Sequence, residues 1–316
     1  MTSDAILIAS GPWDPVPWAA AVRALAPGRA VHIWPDLPDP ERVGYLMAWQ
    51  PPPEAFRAVP NLKAIFSLGA GVERIVFVDD LPDVPIARIV SDDLTQRMTE
   101  WVVLQVLLHH RRQLAYLDLQ RARRWEELRQ PAASEVRVGM MGLGVLGADA
   151  AEPLVRLGFQ VAGWSRSPKT LPGVEGYSGA DGLDAFLART DILVCLLPLT
   201  HETRHILLMD LFGKLARDGA LGGPVVINAG RGGLQVEADI AAAIGQGVLK
   251  GASLDVFETE PLDPASPLWG LDNVVITPHV AAFSDPKALT GQILDQIAAF
   301  EAGKPLKNLV DRAARY

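Results

Sequence analysis

Val136–Gly147 reads VRVGMMGLGVLG: an apolar run of strand length, then glycines at 142, 144 and 147 in the spacing G-x-G-x-x-G. Each glycine has a separate task if the run is a strand and a helix follows. Gly142 permits the tight turn, Gly144 lets backbone amides approach a pyrophosphate, and Gly147 lets helix and strand pack closely. Val145 and Leu146 complete the turn at the positive end of that helix. The spacing also occurs in structural strand-to-helix turns and in other nucleotide-binding folds, so its surroundings decide the reading.

The next apolar run, Phe159–Trp164, ends at Ser165, with Arg166, Ser167 and Lys169 just beyond. An NAD-specific fold of this kind places an Asp or Glu there, about 20 residues past the glycines, to hold the ribose hydroxyls. Here there is no carboxylate to repel a 2′-phosphate, while a guanidinium, an ammonium and two hydroxyls are at hand to bind one. NADP(H) is therefore expected in preference to NAD(H), with weaker use of NAD(H). Pro153 falls inside the helix after the glycines, where it removes a hydrogen bond and predicts a kink.

Downstream, apolar runs at Ile192–Leu197, Val225–Ala229, Ala252–Val256 and Val274–Thr277 alternate with helical stretches, the pattern of a parallel sheet covered on both faces. Leu197, Pro198, Ala229 and Gly230, at the ends of two of these strands, join the expected cofactor-binding set. Upstream, Ala5–Ala9, Ala30–Trp34, Tyr45–Trp49, Leu62–Leu68 and Ile86–Val90 read as buried strands of a smaller α/β domain. Between the two sets, residues 95–128 predict one long helix with a basic outer face, and Pro286–Ala302 predicts an amphipathic helix. Arg121, Arg123 and Arg124 read as a solvated face. His109 and His110, adjacent on a helix, point about 100° apart and cannot chelate together.

The 316 residues suffice for two domains. A content of 49% hydrophobic and 21% charged residues is that of a soluble globular protein, and no apolar run is long enough for a membrane span. A formal net charge of −8 argues against a nucleic-acid partner. The single cysteine, Cys195, lies mid-strand as a small hydrophobe and allows no intrachain disulfide, and the start MTSDAILIAS lacks the basic region and cleavage pattern of a secretory signal. A cytoplasmic protein is expected, with no metal site.

Three segments each place polar residues at a predicted strand end: INAGRGG with Arg231, DVFETEPL with Asp255 and Glu260, and TPHVAAF with His279. Those ends form the ligand crevice of an open parallel sheet. Arg, Glu and His are the groups needed to reduce a 2-ketoacid. Arg231 can bind the carboxylate or polarise the keto group, His279 can donate a proton to the oxygen, and Glu260 can hold His279 protonated. Taken singly, each also reads as structural: an ion pair, a solvated turn, a buried hydrogen-bonded imidazole.

In order, GLGVLG, LPLTHETRHIL (residues 197–207), NAGRGG, SLDVFETEPL and PHVA closely resemble the D-isomer-specific 2-hydroxyacid dehydrogenase family over nearly the whole chain. The resemblance implies catalytic roles for Arg231, Glu260 and His279, and a contact of Asp255 with the nicotinamide carboxamide. It implies an α/β fold of two doubly wound parallel-sheet domains: a Rossmann-type cofactor domain, 101–285, inserted in a flavodoxin-like substrate domain, 1–100 and 286–316, with a cleft between them. In the family a glycine loop binds the substrate carboxylate through its amides, which carries over here to Leu68, Gly69, Ala70 and Gly71 in SLGAGVE. An ordinary strand-to-helix turn is the other reading of that loop.

Within the family, WSRSPK, AWQPP and HHRRQ look most like bacterial NADPH-dependent glyoxylate/hydroxypyruvate reductases. That implies a small 2-ketoacid as substrate and Trp49 as a wall of its pocket. A core aromatic is the alternative for Trp49, and Phe283 carries the same ambiguity. The family is commonly dimeric, and a homodimer in which Trp125 reaches the partner's cleft is the corresponding expectation. Reduction of phenylpyruvate, oxidation of 3-phosphoglycerate, and a dinucleotide-sensing interaction protein of corepressor type stand as alternatives.

Overall fold

In the computed structural model, which describes residues 4–312, the chain falls into two compact units: residues up to Leu94 with those from Ser284 on, and Thr95–Phe283. The first unit grows from short, largely apolar strands, all buried along their length except the half-buried edge strand Val31–Ile33. These are β1 (Ala5–Ala9), β2 (Val31–Ile33), β3 (Val43–Ala48), β4 (Ala64–Ser67) and β5 (Ile86–Ala87). They pair in parallel in the order β2-β1-β3-β4-β5, the flavodoxin-like order. The helices Val16–Leu25 and Pro286–Glu301 pack together on this unit. The second of them starts where Asp285 caps the Ala288 amide at 2.8 Å and Pro286 takes the first turn.

The second unit holds β6 (Arg137–Met141), β7 (Gln160–Ser165), β8 (Glu175–Ser178), β9 (Ile192–Cys195), β10 (Val225–Asn228), β11 (Gly251–Leu254) and β12 (Val274–Ile276). All are parallel, in the order β12-β11-β10-β9-β6-β7-β8, so the winding direction reverses between β6 and β9. Successive side chains go to opposite faces. Val138, Met140, Ile192, Val194, Val225 and Ile227 enter one core, which Met98, Val102 and Val106 of the helix Asp92–His110 cover. Met141, Leu193, Cys195 and Val226 enter the other, against Phe186 and Phe212. Both doubly wound sheets agree with the architecture expected from sequence.

The helical stretch expected over 95–128 is a point of correction. It forms two helices, Asp92–His110 and Gln113–Arg121, and the chain leaves helical geometry after that. Arg112 at φ 53 breaks the first run and Arg123 at φ 53 follows the end of the second. The physical reason is burial: Gln113–Arg121 has no buried residue, and from Arg121 through Glu127 every residue is exposed, so no apolar stripe carries the helix on. β8 was not anticipated either. Its sequence, EGYS, sits at the sheet edge, where one exposed face leaves no apolar alternation to read. The helix Val145–Arg156 runs through Pro153 without interruption.

Cys195 is buried, and burial pushes its thiol up to about 12. His109 packs its Nε2 at 2.8 Å from Ser253 Oγ, and burial brings it down to about 4; His110 meets Phe159 edge-on. Among the described residues no group of three His, Cys, Asp or Glu side chains is placed to hold a metal ion, and no helix is long and apolar enough to cross a membrane.

Candidate active site

β6 delivers the glycine turn to the point where strand order reverses. Gly142 has φ +108, open to glycine and strained for other residues, and its amide donates to Trp164 O at 2.9 Å. Gly147 sits so tightly under the turn that a Cβ there would overlap the Gly142 carbonyl oxygen, whereas a Cβ on Gly144 would meet nothing within 4 Å. The helix begins at Val145, half exposed, and the amides of its first turn have no partner within the helix. A helix N-terminus with open space beside Gly144 suits a bound pyrophosphate.

At the end of β7, Ser165 is buried and its Oγ donates to Ser167 O at 2.8 Å, which shapes the loop. Arg166, Ser167 and Lys169 are exposed, but Lys169 reaches back and its Nζ donates to Leu143 O at 2.6 Å, tying this loop to the glycine turn. Leu197 is buried beneath the turn and Pro198 is exposed at the end of β9.

The polar residues of the three later segments come together at the ends of β10, β11 and β12. His279 Nδ1 lies 2.8 Å from Glu260 Oε2, and each side chain is about one-third exposed, at 31% and 32%. Glu260 Oε1 accepts the Phe257 amide at 3.1 Å. Burial alone would raise the Glu260 carboxyl; the hydrogen bond and charge of His279, the Phe257 amide and the Arg231 guanidinium outweigh it, and the group lies below its ordinary range. Arg231, half-buried, therefore stands within electrostatic reach of the pair, and its Nη1 donates to Gly230 O at 2.6 Å.

Asp255 is 1% exposed and builds the turn that carries His279. Its Oδ1 accepts Thr277 Oγ1 at 2.5 Å and the Val280 amide at 2.9 Å, and its Oδ2 accepts the Ala281 amide at 2.9 Å. A carboxylate takes about four donors, so three leave capacity for one more. Sequence reading missed three residues here. Asn228 and Gln235 are wholly buried and bond each other at 2.8 Å, and Glu237 Oε1 accepts the Glu258 amide at 2.7 Å. Burial raises the Glu237 carboxyl, with the Glu258 and Glu260 charges adding to it. Amide side chains inside NAGRGGLQVE carry no reaction chemistry, so only the tertiary pairing marks them.

In the first unit, Trp49 follows β3 and is 6% exposed. Its ring stacks on Trp13 at 4.5 Å, and a Cβ on Gly69 would strike its six-membered ring. Trp49 thus lies against the loop of Leu68, Gly69, Ala70 and Gly71. Ser67 Oγ ties that loop by donating to Gly69 O at 2.8 Å or Gly71 O at 3.0 Å. The Leu68 amide donates to Ala48 O and the Gly69 amide to Ser67 Oγ; those of Ala70 and Gly71 have no hydrogen bond among the described residues. Phe283 is 55% exposed, which removes the core-aromatic reading for it.

Residues 103–281 match the family model described as D-isomer specific 2-hydroxyacid dehydrogenase, NAD binding domain. The chain belongs to this family. Among 2-hydroxyacid dehydrogenases and their relatives, glyoxylate/hydroxypyruvate reductase A of Enterobacter sp. (strain 638) is 39% identical over 305 residues, which cover 95% of this chain and 96% of that protein. The crystal structure of the NADPH-dependent glyoxylate/hydroxypyruvate reductase of Sinorhizobium meliloti, in complex with NADP and sulfate, superposes with a TM-score of 0.95 at 50% identity, covering 99% of this chain and 100% of that one. A probable 2-hydroxyacid dehydrogenase of Rhizobium etli, in complex with NADP, HEPES and L(+)-tartaric acid, gives 0.94 at 49% identity, with coverage of 99% and 100%. As a 2-hydroxyacid dehydrogenase, the chain is an oxidoreductase of two parallel-sheet domains.

Proposed function

We propose that this 2-hydroxyacid dehydrogenase reduces a small 2-ketoacid, glyoxylate or hydroxypyruvate, with NADPH as the preferred reductant and NADH as the weaker one. The observation that carries the reading is the 2.8 Å pair of His279 and Glu260, with Arg231 in electrostatic reach, on strand ends beside the glycine turn. Bound at that turn, a nicotinamide dinucleotide supplies the hydride.

The protein's residues do the rest. Glu260, held ionised, favours the protonated imidazole of His279, which donates its other ring proton to the substrate oxygen. Arg231 holds the substrate carboxylate or polarises the keto group. In the cofactor site, Val145, Leu146 and Gly147 would present first-turn amides to the pyrophosphate over the turn shaped by Gly142 and Gly144, Leu197, Pro198, Ala229 and Gly230 would line the neighbouring strand ends, and Asp255 would offer its remaining acceptor site to the carboxamide. The open space at Gly144 fits such a group. Ser165, Arg166, Ser167 and Lys169 favour a 2′-phosphate; Lys169, tied to Leu143 O, also fixes the loop on the glycine turn. In the first unit, Ala70 and Gly71 offer amides to a carboxylate, with Trp49 as the adjacent apolar wall.

The relatives support this reading through their names and the NADP in the two solved structures. A homodimer is the proposed assembly: Trp125 is 105% exposed and Leu104 is 58% exposed, apolar surface that a second copy would bury. A single buried thiol suits the reducing cytoplasm. The deciding experiment is reduced-nicotinamide consumption by purified protein with glyoxylate, hydroxypyruvate, pyruvate and phenylpyruvate, each with NADPH and NADH. Fast NADPH-dependent turnover of the first two is expected. A preference for phenylpyruvate replaces the substrate and keeps the chemistry; no turnover despite tight NADPH binding overturns the enzyme reading.

A further inference from the structure

The loops that carry Arg231 and Glu260 are joined through the buried Gln235 side chain, next to the more exposed bond of Glu237 to the Glu258 amide. Gln235 Oε1 accepts Asn228 Nδ2 at 2.8 Å, and Gln235 Nε2 donates to Val256 O at 2.9 Å. Asn228 extends the chain on its side: its Nδ2 also donates to Arg231 O at 3.2 Å, and its Oδ1 accepts the Gly230 amide at 3.0 Å. One residue beyond Val256, the Phe257 amide donates to Glu260 Oε1, whose partner oxygen holds His279. Asn228 and Gln235 are both 0% exposed, so water does not compete for these bonds. The two loops are also in close packing: a Cβ on Gly232 would overlap the Phe257 carbonyl.

We infer that Gln235 is a positioning residue, which sets the register between Arg231 and the Glu260–His279 pair by bridging the two loops. Packing alone keeps the loops in contact but leaves them free to slide, whereas hydrogen bonds between buried amides are directional. Gln235 acts through the backbone, at Val256 directly and at Arg231 by way of Asn228. The inference rests on the catalytic reading of Arg231, Glu260 and His279, and the test separates the two.

Gln235→Leu is of similar size and removes the bonds to Asn228 and Val256 O, together with the side chain's hydrogen bond to Glu237. Gln235→Glu keeps the shape and the acceptor for Asn228 but, ionised, has no proton for Val256 O, and it serves if the leucine variant folds poorly. Each variant is compared with the wild type in kcat and its pH profile, in NADPH affinity by fluorescence, and in amide exchange of the segment 256–260. The expected result is a kcat lower by about 10–100-fold, an alkaline limb of activity displaced to lower pH, faster exchange at 256–260, and NADPH affinity unchanged. Unaltered kcat, pH profile and exchange overturn the inference, as does a loss of activity matched by equal loss of NADPH binding, which marks general damage. If the wild type itself turns over no ketoacid, the functional reading fails, while faster exchange in the variants still establishes the bridge as a mechanical link.

Discussion

Asp255 holds the turn on which His279 stands: its backbone carbonyl accepts the His279 amide at 2.8 Å, and its carboxylate accepts the next two amides, Val280 and Ala281, both at 2.9 Å. His279 has φ 55, a left-handed backbone that a non-glycine residue keeps only when its surroundings hold it there. Asp255→Ala takes the acceptor from the buried Ala281 amide, the part-buried Val280 amide and the Thr277 hydroxyl, and is expected to destabilise the fold by about 2–5 kcal/mol. It should also lower kcat through His279. Chemical denaturation and steady-state kinetics on the same preparation check both; an active variant of wild-type stability excludes the anchoring role.

His279→Ala should reduce kcat/KM by about 10²–10⁴-fold, the range for a general acid, with little change in NADPH affinity. Equal losses of affinity and turnover would place His279 in binding instead.

The lowered Glu260 carboxyl makes a pH prediction. A group with a depressed folded value stabilises fully above the ordinary carboxylate range, and that contribution is lost as pH falls through the lowered value. Glu260→Gln should therefore melt below the wild type at neutral pH, and the gap should close on acidification below about pH 4. A gap that persists unchanged into acid rules out an ionised Glu260 as its source.

Arg166→Ala should weaken NADPH by about 10–150-fold, the value of a charged hydrogen bond to phosphate, and leave NADH nearly unaffected. Kinetics with both cofactors provide the check. Equal loss with the two removes Arg166 from the 2′-phosphate site.

The glycines of the turn should separate by role. Gly147→Ala places a methyl on the Gly142 carbonyl and should destabilise the cofactor-free protein by about 1–3 kcal/mol or more. Gly144→Ala meets open space, so the cofactor-free protein should melt as the wild type does while NADPH binding weakens. Thermal melts with and without NADPH distinguish them, and identical behaviour of the two variants contradicts the assignment.

Much of the architecture could be read from local pattern. Runs such as Ile192–Cys195 and Val225–Ile227 are apolar throughout because both faces of a parallel strand are buried, and glycines 142, 144 and 147 follow from the space around one turn. Where burial is one-sided or absent, the pattern thins out. β8 at the sheet edge went unseen, and a helix was extended past Arg121 into an exposed segment.

By itself, then, the sequence determined two parallel-sheet domains, the dinucleotide turn, and Arg231, Glu260 and His279 as the residues of interest, since each is announced by neighbours within a few positions. Only the tertiary structure decided that Asp255 bonds the amides of the His279 turn, that Asn228 and Gln235 bridge two loops, that Lys169 turns back to the glycine turn, and that Trp49 stacks on Trp13 and lies against Gly69. The physical reason is range: periodicity and turn chemistry act over a few residues, whereas a directional hydrogen bond between Gln235 and Val256 exists only once separate strands have taken their register.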